Sequence, residues 1–308
     1  MKKILLSFIC VIIAIFILLE PQIVTSGIKK GIELSIYSVI PALFPFMLLT
    51  NYMISHDLCQ CISYFFYPFL SKIFHVSRNG CFAVLIGFTG GYPMGAKTIS
   101  DLYDRKLINA QEGHYLCTFC NNCSLSFLIN YIIFNCLNNL NPGSILHIDT
   151  KGIIALVYLP VVIVGTLNRF FFRKDRKYLD VFPAQTQTIN TKSNNVLHSS
   201  IISMLNLCVY VICFSVLVEF IHNLTMTSFC KCIIVSFVEI TSGCKYTSAH
   251  LPYGTLQLFV LLFSCIFGGL SITMQSISQF KDKSFVKYYI AGKLETLIVF
   301  TIMFLIFL

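Results

Sequence analysis

Charge is what this sequence has least of. Asp, Glu, Lys and Arg supply 11% of its 308 residues, against roughly 25% in soluble domains, and that scarcity excludes an ordinary soluble fold. Acidic residues are the rarer sign, 13 against 22 Lys and Arg, leaving a net charge of +9. The excess is not gathered with aromatic residues into the patch that nucleic-acid binding needs. The chain also lacks a P-loop and any nucleophile, base and orienting-residue arrangement, so an enzymatic reading has no support and no cofactor or metal is expected. The apolar run 4–19, after Lys2 and Lys3, lacks a small-x-small cleavage site, so it reads as a retained first helix rather than a signal peptide.

What fills the chain instead is apolar. Hydrophobic residues make up 56%, with 29 Phe, and the mean hydropathy is +0.78. A helix needs about 20 such residues to cross the ~30 Å hydrocarbon core. Runs 33–54, 115–137, 153–172, 201–221 and 256–279 meet that length. Runs 4–19 and 288–308 are spans with flaws, the second carrying Lys293 and Glu295, which read as a local charge pair. Runs 58–74, 80–96 and 229–240 are shorter or interrupted. The expectation is an all-α polytopic membrane protein of about eight transmembrane helices plus two re-entrant or broken helices. Arg169, Arg173, Lys174, Arg176 and Lys177 follow a span, and the positive-inside rule puts that loop in the cytoplasm. The polar stretch 174–197 divides a first membrane half, 1–173, from a second, 198–308. Most of the 14 cysteines lie in apolar runs, where Cys acts as a small buried hydrophobe.

One segment departs from this background: GFTGGYPMGAK, residues 87–97. In lipid, non-helical backbone survives only where protein buries it or it lines a cavity. Gly90 and Gly91 tolerate unusual dihedrals, Pro93 has no N–H, and Tyr92 before it is pushed towards extended geometry, so a helix should break here. A half-helix starting at Met94 would then point free N–H groups at an anionic ligand, with Lys97 one turn in.

The pattern recurs. Gly95-Ala96-Lys97 precedes Phe119-Cys120-Asn121-Asn122-Cys123-Ser124, and Gly243-Cys244-Lys245 precedes Phe267-Gly268-Gly269-Leu270-Ser271; 148 residues separate both Lys97 from Lys245 and Phe119 from Phe267. A duplicated, and in one version inverted, repeat is the expectation. Two readings compete at each polar position. The lysines either form an anion site together or snorkel to the headgroups. Asn121, Asn122 and Ser124, like Ser271 and Gln275, either bind a polar solute or join helices. The matched clusters favour a site of Gly91, Pro93, Gly95, Lys97, Asn121, Asn122 and Ser124 facing Glu239, Thr241, Gly243, Lys245, Ser271 and Gln275. Glu239 would pair with Lys97 or Lys245 or carry a coupling proton. Cys117, Cys120 and Cys123 form part of an iron–sulfur spacing but lack its fourth Cys-Pro.

Five ordered motifs carry a resemblance: PALFPFMLL (41–49), GGYPMGAKTISDLY (90–103), FCNNCS (119–124), EITSGCK (239–245) and GGLSITMQ (268–275). Together they resemble the sporulation integral membrane protein family called YlbJ, within the nucleoside-recognition or Gate-domain class. The resemblance implies a protein of the outer forespore membrane of an endospore former, moving dipicolinate, a small aromatic dicarboxylate. Its partners would be that anionic solute and membrane lipid, with another copy of the chain or other sporulation membrane proteins also open. Nucleoside or cation carriage and a non-transporting scaffold are the rivals. Leu125 stands where the family resemblance leads us to expect a proline after FCNN-x-S, so the second break of the first half, at Phe119 to Ser124, is expected either to be weaker or to rely on Asn121 and Asn122 alone.

Overall fold

The computed structural model of the chain describes residues 7, 11, 14–56, 58–137, 149–172 and 194–307. Lys2, Lys3, the cluster Arg173 to Lys177 and residues 174–193 of the expected linker lie outside them, so the topology signal does as well.

Every regular element among the described residues is helical. Helix α1 (Pro21–Leu34) runs through a wider turn, Ser35–Val39, into α2 (Ile40–Ser55). Pro41 has no N–H for the carbonyl four residues earlier, and the local i→i+5 bond from Ile40 to Ser35 sits at that gap. Then come α3 (Cys59–Phe74), α4 (Arg78–Thr89), α5 (Met94–Asp104), α6 (Ala110–Cys117), the π-helical α7 (Phe127–Cys136) and α8 (Thr150–Phe171). The chain continues with α9 (Asn194–Asn223), α10 (Ser228–Val238), α11 (Ile240–His250), α12 (Thr255–Phe267), α13 (Gly269–Gln279) and α14 (Ser284–Phe307).

The chain is thus an all-α polytopic membrane protein. Among the described residues, five helices are long and apolar enough to cross a membrane: Pro21–Ser55, Thr150–Phe171, Val196–Asn223, Thr255–Gln279 and Ser284–Phe307. The expected span 115–137 is not continuous, because residues 118–124 leave the helix. In each half two short helices (α4 and α5; α10 and α11) precede an interrupted pair (α6 and α7; α12 and α13), and a long apolar helix follows. The halves interleave: α1 lies along α9, α8 against α14, and α5 against α13. Gly27 and Gly31 let the first of these pairs close. An added Cβ would stand 2.6 Å from Val216 Cα or 2.7 Å from Ile212 Cα, the small-residue packing that substitutes for hydrophobic driving force in lipid. Ser26 and Lys30 then both reach Glu219, at 2.9 and 2.6 Å.

Candidate functional site

Four interruptions of helix meet inside this bundle. At the first, α4 ends on Gly90, Gly91 takes φ +73°, the Tyr92–Pro93 peptide is cis, and α5 starts at Met94 with Pro93 as its N-cap. Proline offers no capping side chain, so the orphan N–H groups of the first turn need another partner. Asn121 supplies one. Its Oδ1 accepts from Ala96 N at 3.2 Å while its Nδ2 donates to Ser276 Oγ on α13 at 2.7 Å.

The second interruption, 118–124, is wide despite having no proline, so of the two expectations the weaker break fails, while Asn121 and Asn122 do bond within and across it. Glycines on three helices make room for its backbone. A Cβ on Gly87, Gly95 or Gly292 would collide with the carbonyl of Cys120 or of Thr118, and one on Gly91 would stand 2.7 Å from Ser124. The four-residue spacing of Gly87, Gly91 and Gly95 is the sequence signal for this groove, and reading the break alone missed it. Within the segment, Asn122 donates to the Phe119 carbonyl, and Ser124 Oγ accepts from Phe127 N at 3.2 Å to start α7.

The third interruption falls at the start of the expected break, whose Gly243-Cys244-Lys245 end is helical. Helix α11 begins at Ile240 and runs through Gly243 and Lys245 to His250; the extended residue is Glu239, at φ −145° and ψ 124°. Its carboxylate accepts from Thr241 N at 2.9 Å and Ser242 N at 2.7 Å, so it caps its own helix and pairs with neither Lys97 nor Lys245. Gly243 still has a packing role, because a Cβ there would strike the Ser236 backbone of α10.

The shift in start point moves Lys245 off the site. Lys97 is four residues beyond its N-cap and Lys245 six beyond, a difference of about 200° around a helix. Lys97 is accordingly buried and paired with Asp101 at 3.0 Å, whereas Lys245 is exposed.

The fourth interruption is Gly268 and Gly269, both left-handed at φ +82° and +74°, between α12 and α13. Ser271 and Gln275 lie buried just beyond it and bond each other at 3.0 Å. The expected pairing of Lys293 with Glu295 does not form. Glu295 accepts from Asn168 Nδ2 at 2.6 Å, and Lys293 Nζ donates to Tyr92 Oη at 2.8 Å and to the Ile266 carbonyl at 2.9 Å. Residues two apart on a helix point away from one another, which is the physical reason.

The interruptions, with the helices that flank them, are linked in a closed circuit. Tyr92 shares its hydroxyl proton between the Cys265 and Ile266 carbonyls at 2.8 Å, joining the first to the fourth. Glycine packing joins the first to the second, and Tyr131 on α7 donates to the Thr241 carbonyl at 2.8 Å, joining the helix after the second to the first turn of the helix after the third. A Cβ on Gly269 would stand 3.2 Å from the Val238 carbonyl, joining the fourth to the third. The candidate residues Gly91, Pro93, Gly95, Asn121, Asn122 and Ser124 are therefore brought together with one another; Glu239, Thr241, Ser271 and Gln275 flank them, and Lys245 stands apart. Among the described residues no group of three His, Cys, Asp or Glu is arranged to hold a metal ion, Cys117, Cys120 and Cys123 included.

With this geometry in hand, the comparisons add one relative. Over 160 residues the chain is 26% identical to the sporulation integral membrane protein YlbJ of Bacillus subtilis (strain 168), a match covering 52% of this chain and 38% of that protein. The matched region thus spans well under half of the relative's length. No protein-family profile matches the chain. No solved structure matches it either.

Proposed function

We propose that this protein carries a small anionic metabolite, a dicarboxylate of the dipicolinate kind, across the outer forespore membrane of an endospore-forming bacterium. The observation that carries the reading is the circuit of four helix interruptions within an apolar bundle. Non-helical backbone inside a membrane protein is sustained where it is buried or lines a solute path, and discontinuous helices from two related halves are a recurrent way to build one. The shared order of elements and the 148-residue spacing support a duplicated origin for the halves.

In this reading Gly91, Pro93 and Gly95 shape one side of the site, with Lys97 behind them and Asn121 and Asn122 between the halves. Glu239, Thr241 and Gly243 shape the other side, next to Ser271 and Gln275. Both half-helix N-termini are filled by the protein's own acceptors, Asn121 and Glu239. A solute carboxylate would compete with those acceptors on opening. The sporulation role rests on the relative's name and the five motifs, and the transport role on the interruptions.

The test is uptake by the purified chain in liposomes, offered labelled dipicolinate, a nucleoside and Fe²⁺ separately. The expected result is saturable dipicolinate uptake. Uptake of the nucleoside or of Fe²⁺ alone would replace this reading with the corresponding carrier, and uptake of none would favour a scaffold.

A further inference from the structure

Two lysines are buried among the described residues, and they are solved differently. Lys97 has the Asp101 carboxylate. Lys293, 8% exposed, has no carboxylate at ion-pair distance among the described residues. It is the tenth of 24 residues in α14, roughly 14 Å along the helix at 1.5 Å per residue and so near its middle. Snorkelling is closed to it, because its side chain is buried in the bundle and held at both of its contacts.

Those contacts are neutral. The ammonium lies 2.8 Å from Tyr92 Oη, 4.2 Å from the centre of the Tyr92 ring and 2.9 Å from the Ile266 carbonyl. The carbonyl belongs to the last turn of α12, whose C-terminal groups lack helical partners and favour a cation. The arrangement satisfies hydrogen bonds, yet it offers no counter-charge to the protonated amine at membrane depth, where a lysine costs about 2.5–3.5 kcal/mol. A glutamine would satisfy the same acceptors without that cost. The amine also links the first interruption, where Tyr92 lies, to the last turn of α12, where Ile266 stands two residues before the left-handed pair Gly268 and Gly269 that forms the fourth.

We propose that Lys293 is the cation that receives a carboxylate of the transported solute, with Tyr92 holding its amine in the empty state and yielding it when the solute enters. This rests on the anionic-solute reading and assigns that solute a residue that neither the motifs nor the paired-lysine expectation included. Tyr92 is a positioning residue, and its removal should act with the opposite sign.

The experiment compares wild type, Lys293→Met, Lys293→Arg and Tyr92→Phe as purified full chains, measuring equilibrium binding of labelled dipicolinate, with picolinate and uridine as single-carboxylate and neutral probes. A charge-assisted hydrogen bond is worth enough that Lys293→Met should lose dipicolinate at least about tenfold. Lys293→Arg should stay within about tenfold of wild type, because the charge is kept. Tyr92→Phe should bind a few-fold tighter, since the hydroxyl no longer competes. Should Lys293→Met fail to insert, the Arg and Phe variants carry the test: loss of dipicolinate by both would overturn the proposal. If wild type binds dipicolinate and Lys293→Met binds it equally, the proposal falls alone. If wild type binds uridine and neither carboxylate, the anionic-solute reading falls and takes this one with it.

Discussion

At the start of α5 the free N–H of Ala96 is satisfied by an amide 25 residues further along the chain, while at the start of α11 the free N–H groups of Thr241 and Ser242 are satisfied by Glu239, the residue next to them. The first helix start is therefore built by tertiary structure and the second by local structure. Asn121 reaches Ala96 only because Gly87, Gly91 and Gly95 allow the segment 118–124 to lie against α4 and α5. Glu239 needs no such neighbour. A disturbance of the glycine groove should accordingly undo the first interruption and leave the second intact, which makes the two separable by mutation.

The largest effect is expected at the groove itself. Gly95→Val places a Cβ on the Cys120 carbonyl, a backbone atom that cannot rotate away, and overpacking of this kind should cost about 3 kcal/mol or more. Loss of the monodisperse peak in detergent chromatography would report it. Gly254→Ala is the control, because nothing lies within 4 Å of the added Cβ and the backbone is extended there; it should stay within about 0.5 kcal/mol. A well-behaved Gly95→Val protein would contradict the close approach of the two segments.

Next comes the locally capped start. Glu239→Ala removes both acceptors from the half-buried N–H groups of Thr241 and Ser242, and hydrogen bonds to a charged group are worth about 1.5–3 kcal/mol. Thermal unfolding in detergent should show that loss, with Glu239→Gln intermediate because one acceptor survives. Asn121→Ala should cost less, about 1–2 kcal/mol, since its bonds are neutral and one of them, to Ala96, is long at 3.2 Å. The order of these two is the sharpest check: an Asn121 variant worse than the Glu239 one would mean that the borrowed cap dominates.

The same contrast explains what the sequence could reveal. Gly90-Gly91-Tyr92-Pro93 announces a break through backbone chemistry, and α5 begins at the expected Met94. Glu239 is a weaker signal, because glutamate is outside the usual N-cap set of Ser, Thr, Asp and Asn, and nothing in EITSGCK tells that Gly243 is a packing glycine inside α11. Hydropathy averaged over 115–137 hides segment 118–124, because the residues on both sides of it are apolar; only Asn121, Asn122 and Ser124 mark it. Lys293 was legible as a charge in the wrong place, but its partners are 201 and 27 residues away, and only the folded chain shows that Glu295 is not among them.

The smallest effect should be at Lys245, and it decides whether the two halves offer equivalent lysines. Lys97→Met leaves the partly exposed Asp101 without its partner, which should cost about 1 kcal/mol. Lys245→Met removes an exposed side chain and should change stability by less than about 0.5 kcal/mol. In the liposome assay, dipicolinate uptake should fall for Lys97→Met and persist for Lys245→Met. Equal loss in both would mean that α11 turns its other face inward during transport, by roughly the 200° that the two-residue difference in helix start introduces. A whole-helix rotation of that size would have to break the Glu239 cap, so a Lys245 effect that disappears in a Glu239→Ala background would identify it.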